Sequence, residues 1–139
     1  MSKFGEFETN MCDLKHLLAG LAEMGFDESK IELHDEPVNL YGYHGDMREE
    51  KSHVVIRRRF IGALSNDLGF VREANGTYRA IISDYDRGRF GDQWMGRLKQ
   101  EYSVSQKLQT AKNKGYVFQG REVVQTQKGP EVKLRFSVR

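Results

Sequence analysis

The stretch NDLGFVREANGTYRAIISDYD, residues 66–86, decides how the chain folds. It reads as two β-strands joined at Asn75-Gly76, the dipeptide favoured by type I′ hairpin turns, whose central residues take positive φ. Just upstream, HVVIRRRF (residues 53–60) is another β-rich run. Its period of two sends Val54, Ile56 and Arg58 one way and His53, Val55 and Arg57 the other, giving a polar face that is strongly basic. Residues 31–48 contain Pro37, Gly42 and Gly45 with no sustained period and read as a long loop. Further back, NMCDLKHLLAGLAEMGF (residues 10–26) is the clearest helix. Met11, Leu14, Leu17, Leu18 and Leu21 form its stripe, Asn10 and Asp13 take capping positions, and Gly25 is its stop. His16 falls opposite Leu14 and Leu17, where a solvated side is expected. KFGEF, residues 3–7, supplies a short aromatic strand.

The downstream half reads in a similar order. Leu98, Tyr102, Val104, Leu108 and Ala111 recur at helical intervals up to Lys114, and NKGY closes this helix much as EMGF closes the first. YVFQGREVV and EVKLRFSVR then form a terminal hairpin with Gly129 and Pro130 in its turn. Val132, Leu134, Phe136 and Val138 make one face, and Lys133, Arg135 and Arg139 the other. Strand, helix and hairpin thus occur twice. The expected fold is α+β: a single domain over residues 1–139, with a predominantly antiparallel sheet, both helices on one face, and two β-α-β-β halves sharing that sheet.

Composition narrows the function. The chain has 139 residues, 38% hydrophobic and 30% charged, enough for a core without metal or disulfide support. A net charge of +2 gives little support for general polyanion binding, so a nucleic-acid partner is disfavoured unless the 22 Lys and Arg cluster locally. Cys12 is the only cysteine, which excludes an intrachain disulfide and any multi-cysteine metal site and points to a reducing cytoplasm. No secretion signal and no apolar run of membrane-spanning length is present, so no membrane partner is expected.

Several motifs taken in order resemble a known family. FGEFET, the helix ending EMGF, then GYHGD, HVVIRR, NDLGF, IISDYD and the final Y…A…GY helix look like the hypothetical chloroplast reading frame thirty-five family, across nearly the whole chain. The resemblance implies a domain of unknown function found in plastids, cyanobacteria, other bacteria and phages. It also implies a link to AAA-type ATPases, which neighbour some bacterial relatives.

The candidate chemistry centres on LYGYHGDMREE, residues 40–50, and the basic strand after it. Tyr41, Tyr43, His44, Asp46 and Arg48 can be brought beside His53, Arg57 and Arg59, with Asn66 and Asp67 at the start of the next strand. Arginine binds phosphate or carboxylate bidentately, aromatic rings stack a base, and Asp or Asn reads polar edges. In this reading Arg48 and Arg57 are exposed, and replacing them leaves the unliganded fold nearly unchanged.

Competing chemistries find less support. His44 and His53 with Asp35, Asp46 and Glu49 match no zinc spacing, and HExxH, CxxC and the P-loop are missing from the sequence, so no metal or cofactor is expected. Asn66, Asp67, Asp84 and Asp86 suit turns better than magnesium. Cys12 reads as packed, and Trp94 as a lid or core anchor. The favoured function is a non-enzymatic binding protein for a small anionic or nucleotide-like ligand, such as a phage sponge for a signalling nucleotide. An adaptor for an AAA-type ATPase ranks second and a small hydrolase third. Homo-oligomerisation is left open.

Overall fold

The computed structural model describes residues 3–138, so Arg139, assigned above to the polar side of the last strand, lies outside the described residues. Strand β1 (Phe4–Phe7) leads to helix α1 (Leu14–Glu23), followed by β2 (Glu32–Tyr41), β3 (Met47–Ile56), β4 (Leu68–Arg72) and β5 (Tyr78–Ser83). A short helix α2 (Arg87–Phe90) and a long helix α3 (Asp92–Asn113) precede β6 (Tyr116–Thr126) and β7 (Gly129–Val138). The first five strands form an antiparallel sheet in the order β1-β5-β4-β3-β2.

The expected α+β architecture is present, with α1 and α3 on the same face of that sheet. Leu17 and Leu21 of α1 and Met95, Leu98 and Tyr102 of α3 share one buried cluster with Val54, Ile56, Phe70, Ala80 and Ile82. Asp13 caps α1 by accepting the Lys15 N–H at 3.0 Å, and Gly25 and Gly115 follow the two long helices with φ of 99° and 78°. These are the left-handed positions that a helix stop requires.

Five expectations about the fold are corrected. The halves do not share one sheet: β6 and β7 pair only with each other, as a separate two-stranded ribbon. They meet the rest of the chain at α3, where Arg121 of β6 pairs with Glu101 at 2.9 Å. Second, β2 occupies the segment read as a loop. Pro37 sits where its pairing with β3 shifts, between Leu33 and Val38, and an edge strand with a bulge is where a sheet tolerates proline.

Third, the β4–β5 turn is not type I′. Among the described residues only glycines take positive φ, and Gly76, at 89°, donates its N–H to the Glu73 carbonyl at 2.9 Å. Ala74–Gly76 is therefore a three-residue loop ending in a left-handed glycine. Fourth, His16 is buried, bonded through Nδ1 to Ser105 Oγ at 2.7 Å and edge-on to Tyr102. It serves the α1–α3 contact.

The second face of the sheet is also covered. Leu40, Val55 and Ile81 form a smaller buried cluster against which Phe4, Val38 and Val71 pack. The distal part of the β2–β3 hairpin arches across this face at Gly69, where a Cβ would lie 2.1 Å from Ser52 Oγ and 3.1 Å from Leu40 Cδ2. Fifth, the face of β3 expected to be basic is therefore apolar at Val55, and the strand ends at Ile56, before the arginines.

Candidate functional site

At the end of β3 the chain turns through Arg58–Phe60 and returns as Asn66 and Asp67, which lead into β4. Both side chains are closed off from solvent, at 0% and 1% exposure. A buried carboxylate is stable only when its lone pairs are satisfied. Asp67 accepts from the Tyr41 N–H at 2.8 Å, the Arg58 N–H at 2.7 Å and Arg57 Nη1 at 2.8 Å. Arg57 also makes two 2.9 Å bonds to Glu32 and one of 3.2 Å to the Asn39 carbonyl. Those bonds hold the Glu32 carboxyl down to about 2 and raise the Arg57 pKa further.

Asn66 organises the other side of the same turn. Its Oδ1 accepts the Tyr43 N–H at 2.9 Å and its Nδ2 donates to Ser83 Oγ at 2.9 Å. Ser83 Oγ in turn donates to Asp86 Oδ2 at 2.7 Å, which also accepts the Asn66 N–H at 3.0 Å. Tyr41, Tyr43, Arg57, Asn66 and Asp67 are thus brought together as the sequence suggested. Their polar atoms face one another and pin the β2–β3 tip to the start of β4 and the end of β5. The expectation that Arg48 and Arg57 are exposed is corrected, since their side chains are only 16% and 20% exposed.

The remaining candidates make other contacts. His44 is exposed and stacks on Tyr43, ring centroids 3.9 Å apart, beside Gly45 at φ 76°. Asp46 lies over Gly42, where a Cβ would meet its Oδ1 at 2.6 Å, and is 3.9 Å from Arg48. Arg48 packs its guanidinium on the Phe4 ring at 5.1 Å. His53 accepts the Arg72 N–H through Nδ1 at 3.0 Å, near the opposite end of β4, and burial lowers its pKa. Arg59 is exposed and stacks on Phe60.

A second set of residues, outside the site expected from the sequence, surrounds an open recess rich in arginine. Arg87, Arg89, Asp92, Trp94 and Arg97 line a recess of about 380 Å³ where α2 meets α3. The three arginines are exposed, and none forms an ion pair with a carboxylate among the described residues. Arg87 lies on the Phe7 ring and Arg89 on the Phe90 ring, at 5.0 and 4.8 Å. Arg89 Nη1 donates to the Ile61 carbonyl at 3.0 Å, and Arg87 fills the space a side chain at Gly5 would take, 2.1 Å from its Cβ position. Stacked guanidinium groups give up less rotamer freedom when they close on an anion. The sequence signal was the density of arginines, three within the eleven residues RGRFGDQWMGR, 87–97.

No cluster of three or more His, Cys, Asp or Glu suited to a metal ion occurs among the described residues. No helix among them is long and apolar enough to cross a membrane. The family described as protein of unknown function (DUF1257) matches residues 20–132, and the chain belongs to it. No curated protein and no solved structure matches the chain.

Proposed function

We propose that this member of the DUF1257 family is a non-enzymatic binding protein for a small phosphorylated ligand, held at the Arg87–Arg97 recess rather than at the Leu40–Glu50 loop. The observation that carries the reading is three exposed arginines, none in an ion pair with a described carboxylate, around one recess of about 380 Å³. Two of them are pre-stacked on aromatic rings, and that volume lies within the range of small-molecule sites. Trp94 lines the recess while packing partly buried against the core and edge-on to Phe90. Its remaining surface is the contact proposed for a nucleotide base, and sequestration of a signalling nucleotide in a phage setting is the biological form of the proposal. The finer likeness to the chloroplast reading frame thirty-five family belongs to the same proposal. The adaptor reading, with an AAA-type ATPase as partner, draws on the ribbon, whose Phe118, Val123 and Val138 are 46%, 58% and 77% exposed.

Calorimetry with pyrophosphate and mono-, di- and cyclic nucleotides tests the binding reading, with product analysis alongside. One or more panel members should bind without turnover, and Arg87→Ala with Arg97→Ala should weaken binding at least tenfold, about 1.4 kcal/mol. Arg48→Ala should leave binding unchanged. Failure of the whole panel to bind, or undiminished binding by the double variant, removes the recess from consideration, and conversion of any member to product makes the protein an enzyme.

A further inference from the structure

Helix α3 presents a solvent-facing stripe whose chemistry the arginine recess does not use. Lys99, Ser103, Gln106, Lys107 and Thr110 of the helix and Lys114 at its C-cap are all exposed, and at 3.6 residues per turn the helical ones fall on one side. Two recesses of about 380 Å³ each open along this stripe and meet at Ser103 and Gln106, giving a groove in two parts along the helix. The first part is walled by the β1–α1 connection at Thr9 and Met11, and the second by the ribbon at Tyr116 and Phe136. None of the three lysines has an ion-pair partner among the described residues, and Glu8 is the acid at the far end of the lining.

The lysine spacing selects the occupant. At about 1.5 Å per residue, Lys99, Lys107 and Lys114 lie roughly 12 and 10.5 Å apart along the axis. A nucleic-acid strand offers a charge about every 3.4 Å, so most of its phosphates would go unmatched. An extended peptide repeats a face about every 6.8 Å and also falls out of step. A helix repeats a face every two turns, about 10.5 Å, so Asp or Glu seven residues apart would meet successive lysines. Its intervening apolar side chains would rest on Ala111, Tyr116 and Phe136.

We propose that the groove running from the β1–α1 connection to the ribbon docks an acidic amphipathic helix of a partner protein along α3. This surface is independent of the phosphorylated-ligand site. The probe is a fluorescein-labelled helical peptide with Glu at every seventh position and Leu between, read by anisotropy at physiological salt. A peptide of the same composition with its Glu residues moved out of register, and a short single-stranded DNA, serve as comparisons. The registered peptide should bind saturably, and K99E/K107E/K114E should weaken it at least tenfold. Phe136→Ser should weaken it severalfold with the lysines intact, and the Arg87/Arg97 variant should bind as the parent does. Circular dichroism of the lysine variant, whose changes are all at exposed positions, should match the parent. Equal binding of the out-of-register peptide, tighter binding of the DNA, or indifference to the lysine reversal would overturn the proposal.

Discussion

Arg57 commits its guanidinium inside the chain, to Asp67, Glu32 and the Asn39 carbonyl. The spacing permits Arg57 to reach the tyrosines of the 40–50 loop, and in the structure Arg57, Asn66 and Asp67 all meet that loop. What the sequence does not carry is that the Arg57 guanidinium, the Asn66 amide and the Tyr41 and Tyr43 N–H groups already have acceptors within the chain. Arg57→Ala should therefore destabilise the protein by about 3 kcal/mol, because Asp67 stays buried with its charge uncompensated. Urea unfolding checks this, and a loss below about 0.5 kcal/mol would mean that Asp67 is satisfied without the guanidinium. The same cluster sets an acid limit. Glu32 is held down to about 2 from an ordinary 4.5, so its contribution is complete above 4.5 and fades as pH falls through about 2. Glu32→Gln should flatten the stability profile over that window, and an unchanged profile would place the acid sensitivity elsewhere. The arginines of the recess were harder to see, since RGRFGDQWMGR has no period linking its charges until α2 and α3 fold it around one hollow.

At the level of elements, the helix stripes and the 66–86 hairpin could be read because their periodicity comes from one buried face. β2 could not be. It is an edge strand whose pairing is interrupted at Pro37, so neither alternation nor proline avoidance survives in its sequence. The β2–β3 hairpin holds its position over the sheet by close approach at Gly69, between Val55 and Ile81 in the pairing register. A Cβ there would sit 2.1 Å from Ser52 Oγ and 2.6 Å from Ser52 Cβ, closer than packed atoms allow. Gly69→Ala should cost about 1–3 kcal/mol by overpacking. Ser52→Gly opens that space, so a double-mutant cycle should show the two changes coupled favourably by at least about 1 kcal/mol. Additive losses would mean that the hairpin does not rest on Gly69.

For the whole molecule, the apparent repeat of strand, helix and hairpin suggested one shared sheet, and here the sequence had no means of deciding. Alternation specifies that a strand has an apolar face, not which surface will cover it. Residues from α1 and from strands β3, β4 and β5 share the main core, whereas the ribbon reaches the rest of the molecule chiefly through α3. Its polar ties are the Arg121–Glu101 pair and a 3.0 Å bond from Gln100 Nε2 to the Pro130 carbonyl. Glu101 is buried and its guanidinium partner is the more exposed of the two, so removing the arginine leaves a shielded carboxylate alone. Parts of a protein joined by few buried contacts open at lower free energy than its core. Arg121→Ala should therefore speed amide exchange across Tyr116–Val138 while protection in β3, β4 and β5 stays at the parent level. Hydrogen exchange followed by mass spectrometry reads both regions in one experiment. Equal loss of protection in the sheet would show that ribbon and core open as one unit, and no change in the ribbon would show that its apolar face, not the ion pair, holds it to α3.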